Sequence, residues 1–189
     1  MKRIAFILSI IIILAFAVFA GVKTIGIYSG KRNSPDSQAI EMTPPRDDVL
    51  SLSMGFYHII LKLYDLNNGM NSNILYIAVD MTEVMEAERP SLEKLLGQWA
   101  SGLGCELLLN NRDGLIASGY IGDPQVDMET AYFHNGILFY FENVSYDDET
   151  LCVTATKYRG PFAVYGANFT TRLTESHWVV DEPTMFFIA

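Results

Sequence analysis

Residues Ala167–Thr174, ANFTTRLT, alternate along an extended chain: Ala167, Phe169, Thr171 and Leu173 fall on one side, and Asn168, Thr170, Arg172 and Thr174 on the other. A period of two with one less polar side marks a half-buried antiparallel strand. The pattern continues in both directions. Upstream, Ile137, Phe139 and Phe141 share one face of a strand, with Leu138, Tyr140 and Val144 on the other. Asp147-Asp148-Glu149 makes a turn into a strand over Leu151–Tyr158. Downstream, Glu175-Ser176 turns into His177–Asp181, and Met185–Ile188 is a last apolar piece. The C-terminal part therefore reads as a meander.

Before it the periodicity changes. Leu52, Phe56, Ile59, Ile60, Leu63 and Tyr64 recur at three- and four-residue steps, which predicts a helix over Asp47–Leu66 stopped by Asn67-Asn68-Gly69. Gly55 is an unusual residue for its middle. Ile74–Val79 (ILYIAV) predicts a short buried strand. Ser91–Gly102 predicts a second helix, entered at Pro90, whose stripe of Leu92, Leu95, Leu96 and Trp99 should be buried; Cys105–Leu109 predicts another strand. A strand, helix, strand order permits one parallel pairing. The fold class is α+β, with helices packed on one face of a mostly antiparallel sheet.

The chain has 189 residues, half of them hydrophobic, and a formal charge of −9. Such a composition buries enough apolar surface to offset chain entropy, so overall disorder is excluded. The charge is uneven. Residues 1–32 hold five basic and no acidic side chains; beyond them eight basic face 22 acidic, a balance of −14. A domain so acidic repels phosphate backbones, which excludes nucleic acid as a natural ligand.

After a basic N-terminus at residues 1–3, the uncharged run Ile4–Val22 has 19 residues, which in a helix span about 28 Å, close to the hydrocarbon thickness of a bilayer. Its length favours an uncleaved transmembrane anchor. The alternative is a cleaved signal peptide with small-residue sites at Ala17 or Ala20, which would leave a secreted protein. Lys2 and Arg3 and the signal-like order favour an inside N-terminus, against Lys23, Lys31 and Arg32. Residues 23–46, with Pro35, Pro44 and Pro45, read as a semi-extended tether. Residues 47–189 then form an extracytoplasmic domain of a single-pass membrane protein.

Motifs for metalloprotease, serine-hydrolase, phosphate-loop and dinucleotide chemistry do not occur, and no cofactor is called for. His58, His134 and His177 lie far apart and read as ordinary helix or strand residues, with no metal-ligand spacing. Asp80, Glu83, Glu86 and Glu88 read as a solvated loop and first helical turn, or as a hard-cation site at a strand end. Cys105 and Cys152 either pair, closing a loop of about 47 residues, or pack as buried thiols. No residue is assigned a catalytic role. One segment stands out: Lys157–Gly166, KYRGPFAVYG. Tyr158, Phe162 and Tyr165 would line one end of the sheet around Arg159, a ligand-binding patch for a peptide, glycan or carboxylate. The other reading of Arg159 is a structural cap over the core.

The order ILYIAVD, amphipathic helix, FHNGILFYFENV, KYRGPFAVYGANF, RLTESHWVV and MFFIA resembles a group of small exported or membrane-anchored proteins of unknown function from Gram-positive bacteria. The resemblance implies an envelope location and carries no activity. The late meander with Trp178-Val179-Val180 is also similar to the cone-shaped α+β folds of nuclear-transport-factor type, which bears on fold alone. These readings lead to a non-catalytic binding or assembly module at the cell envelope. It would be held to the membrane by residues 4–22 and partnered by an envelope protein, peptide or glycan. The alternatives are an envelope hydrolase with a spatially assembled carboxylate site and a structural subunit of a membrane complex.

Overall fold

The computed structural model describes residues 51–123, 125–126 and 130–188. The run Ile4–Val22, the tether and the first residues of the predicted opening helix lie outside them. No helix among the described residues is long and apolar enough to cross a membrane.

Helix α1 spans Leu52–Asp65, strand β1 Tyr76–Val79, helix α2 Arg89–Gly102, strand β2 Glu106–Leu109 and helix α3 Arg112–Ala117. Strands β3 (Gly136–Tyr146), β4 (Thr150–Gly160), β5 (Ala163–Leu173), β6 (Trp178–Val180) and β7 (Thr184–Ile188) follow. The fold is α+β with one mixed sheet in the order β2-β1-β3-β4-β5-β6, and β7 also pairs with β5. β1 is parallel to both β2 and β3; the four remaining pairings are antiparallel. The meander is therefore as read, and the parallel pair β1–β2 joins it through a second parallel pairing, Ile77 opposite Ile137.

The two crossovers run in opposite directions. The chain leaves β1 for β2 on one side, then returns past β1 to β3 on the other. If both crossovers share the usual right hand, their helices must lie on opposite faces of the sheet. They do. Leu92, Leu96 and Ala100 of α2 pack with Ile77, Val79, Ile137 and Phe139, whereas Leu115 of α3 packs with Ala78 and Leu138. This corrects the expectation that all helices cover one face. Helix α3 has no counterpart among the predicted elements. Its six residues give too little periodicity to see; what starts it is Asn111, whose side chain accepts the Gly114 N–H at 2.8 Å.

The face under α1 and α2 carries the larger core, with Phe56, Ile59, Ile60 and Leu63 of α1 set against Phe139, Phe141, Leu151, Val153 and Phe169. Gly55 is explained by closeness: a Cβ there would lie 3.2 Å from Leu151 and Thr171 side chains and 3.4 Å from Trp178, so its absence lets α1 approach the sheet. Two sequence expectations change here. Val144 packs against this larger core, on the side of Phe139 and not of Leu138. The cause is a bulge between Glu142 and Ser145, where Asn143 takes a left-handed φ of 53° and reverses the alternation. Trp99 is half-buried, its ring edge-on to Tyr64 at 5.1 Å, and Ala100 takes the buried place on α2 instead.

Candidate functional site

Strand β4 distributes the KYRG segment over two faces. Lys157 turns toward α1, where its ammonium donates to the carbonyls of Tyr64 (3.1 Å), Leu66 (2.5 Å) and Asn67 (3.2 Å) and to Asn71 Oδ1 (3.2 Å). It thus serves carbonyls at and just beyond the C-terminus of α1, where the helix dipole favours a cation. Burial pushes its pKa down to about 8, which still leaves it charged at neutral pH. Arg159 donates from Nη1 to the Met70 carbonyl at 2.7 Å and from Nη2 to the His134 carbonyl at 2.8 Å. Together the two cations pin the connection between α1 and β1.

The four residues predicted as a ligand patch do not meet on one surface. Tyr165 sits opposite Lys157 in the ladder and packs into the larger core, 8% exposed. Phe162 projects from the β4–β5 turn, 75% exposed. Tyr158, 5% exposed, points to the other face and donates its hydroxyl to the Ala131 carbonyl at 2.9 Å. The reason is the period of the strand: residues 157 and 158 cannot face the same way.

On the α3 face, beside Tyr158, lies a cavity of about 500 Å³ lined by Asp80, Arg112, Leu138, Tyr140, Tyr158, Pro161 and Val164. Its place follows from the topology. Asp80 is the residue after β1, and its N–H bonds to the Phe139 carbonyl at 2.9 Å, continuing the ladder one step. Asn110 after β2 bonds to the Val79 carbonyl at 3.2 Å, and Arg112 opens α3 two residues later. Both charged groups thus leave the carboxyl ends of neighbouring parallel strands, beside the point where connections diverge to opposite sides. Ligands of open α/β sheets bind at such points.

The floor is amphipathic. Leu138 and Val164 supply apolar wall, and the Arg112 guanidinium lies over the Tyr158 ring with its carbon 5.0 Å from the centroid. Burial raises the pKa of both Tyr140 and Tyr158, with Arg112 pulling the other way, so both phenols are neutral at physiological pH. The Asp80 carboxylate accepts the Thr82 N–H (2.8 Å) and hydroxyl (2.5 Å) through Oδ1. Oδ2 has no hydrogen-bond partner among the described residues. Arg112 and Tyr140 were not singled out in the sequence; the signal available was the pair of polar stretches that directly follow two short apolar strands.

The other candidates separate. Glu88 Oε2 accepts the Ser53 N–H at 2.9 Å and so braces the start of α1, away from Asp80's turn. Among the described residues no group of three or more His, Cys, Asp or Glu side chains is placed to hold a metal ion. Both cysteines are free. Cys105 precedes β2 and Cys152 lies in β4, with β1 and β3 between. Three strand spacings are about 14 Å, beyond disulfide reach. His58 donates from Nδ1 to the Trp178 carbonyl at 2.9 Å, tying α1 to β6.

No family model and no curated protein matches the chain. Among solved structures, an S-adenosylmethionine-dependent methyltransferase from Clostridium acetobutylicum ATCC 824 aligns with 76% of this chain and 75% of that chain, at 11% identity and a TM-score of 0.17. A likeness at that level carries no argument about fold or activity.

Proposed function

We propose that this chain is a membrane-tethered binding module of the cell envelope, which takes a small molecule in the cavity on its α3 face. The observation that carries the binding role is the cavity itself, with charged groups from two strand ends set above apolar and tyrosine walls. Ile4–Val22 supports the tether, and its basic flank supports a domain held outside the cytoplasm. The resemblance to exported and anchored proteins agrees with that placement. Catalysis by paired carboxylates finds less support, because such chemistry needs two acids about 5–10 Å apart. The cavity lining offers Asp80 and, against it, a guanidinium.

Two measurements test the proposal. Alkaline washing of membranes should leave the full-length protein in the pellet; a shortened form released into the medium would replace the anchor by a cleaved signal. Thermal shift of the solubilised full chain against a panel of organic acids, amines, amino acids and sugars should show at least one stabilising class. Its effect should vanish when Val164→Trp fills the cavity. No stabilisation by any class overturns the binding role.

A further inference from the structure

The cavity joins one acid and one base in a way that restricts its ligand. Asp80 and Arg112 both line it, and they do not form an ion pair with each other. Each keeps capacity on the cavity side. Asp80 spends Oδ1 on Thr82 and retains Oδ2. Arg112 is exposed; its guanidinium lies over the Tyr158 ring and hydrogen-bonds that side chain, and its five N–H donors leave others for a carboxylate. An organic anion alone would reach Arg112 only by bringing a second negative charge near Asp80, in a domain already strongly acidic. An organic cation alone would meet Arg112. A neutral ligand would strip water from both charges and pair with neither.

Resting on the binding reading above, we propose that the cavity recognises a zwitterion with an apolar side chain, an amino acid or short peptide. Its carboxylate sits on Arg112, its ammonium on Asp80, and its side chain against Leu138, Val164 and the Tyr140 ring. Each charge is then paired and the ligand adds no net charge to the domain. Both phenols, Tyr140 and Tyr158, are neutral and present uncharged ring surface, so neither repels a carboxylate; the Tyr158 hydroxyl is already given to the Ala131 carbonyl. The cavity volume exceeds that of a single amino acid side chain and lies within the range of small-molecule sites, which leaves room for a second residue.

The test is isothermal titration of the solubilised full chain with five probes: L-phenylalanine, L-phenylalanyl-L-alanine, 3-phenylpropanoate, phenethylamine and N-acetyl-L-phenylalanine. The expected result is binding of L-phenylalanine or the dipeptide at least tenfold tighter than binding of the three compounds that lack one charge. Which of the two zwitterions is preferred distinguishes a free amino acid from a peptide ligand. Asp80→Asn should weaken the zwitterion tenfold or more and leave or improve 3-phenylpropanoate; Arg112→Gln should do the converse for phenethylamine. Equal binding of 3-phenylpropanoate and L-phenylalanine overturns the zwitterion while leaving a binding module for organic anions. Equal binding of phenethylamine overturns it in the same way for amines. No binding by any of the five overturns the zwitterion, and silence across the wider panel overturns the module as well.

Discussion

The two faces of the sheet are built from alternate residues of the same strands, yet they differ in kind. The face under α1 and α2 is filled. Phe139 is fully buried there, Phe56 meets Phe141 edge-on at 5.0 Å, and α1 comes so close that a Cβ at position 55 would press on Leu151 and Thr171. The face under α3 has a small core of Ala78, Leu115, Ile121, Phe133, Leu138 and Tyr158, beside a cavity of about 500 Å³. Farther along, it is a polar ladder, with the Thr154 hydroxyl donating to Asn168 at 2.9 Å. A helix of fourteen residues can cover strands that one of six cannot. Stability therefore resides mainly on one face, and room for a ligand on the other.

The largest effect should come from neighbours on one strand. Phe139→Ala should cost about 3–5 kcal/mol in urea unfolding, and Leu138→Ala, at the cavity wall, about 2 kcal/mol. Equal costs would erase the contrast. Arg159→Ala should cost about 2 kcal/mol through two lost charge-assisted bonds to carbonyls, read as a lowered melting temperature. An unchanged melt would return Arg159 to the ligand-binding reading. Volume added to the two faces should behave oppositely. Gly55→Leu should cost roughly 1–3 kcal/mol by overpacking, while Val164→Phe, growing into the cavity, should cost under about 1 kcal/mol.

The smallest effect concerns pH. Lys157 has a folded pKa of about 8, below its ordinary value of 10.5. Between those values the unfolded chain holds a proton that the folded chain has released, so stability rises with pH across that window. Relative to Lys157→Met, the wild type should gain about 1 kcal/mol from pH 7 to pH 9. A relative loss would mean that the carbonyl cage holds the proton more strongly than burial expels it.

The sequence makes legible whatever is periodic over enough residues. The alternation of Ala167–Thr174 and the stripe of Leu92 and Leu96 follow from spacing, whereas the strand, helix, strand order permits one parallel pair and does not fix the order β2-β1-β3. Single residues that change a direction are not legible in that way. Asn143 reverses the alternation of β3 and carries Val144 to the other face, and nothing in a period of two announces it. The candidate site was hidden for a related reason. Asp80, Arg112, Tyr140 and Tyr158 come from four separate segments, and only the return of the chain past β1 brings them together. The segment Lys157–Gly166 drew attention by composition, but its cations serve carbonyls outside the cavity, and of the four residues expected to bind a ligand only Tyr158 lines it.

The division of labour between the faces is tested most directly by methyl-resolved NMR of the full chain in detergent micelles, titrated with L-phenylalanine. The account predicts that methyl signals of Leu138 and Val164 shift progressively, while those of Ile137, Ile60 and Leu92 on the filled face stay fixed. Shifts centred on Ile137, Ile60 and Leu92, with Leu138 and Val164 unmoved, would contradict it.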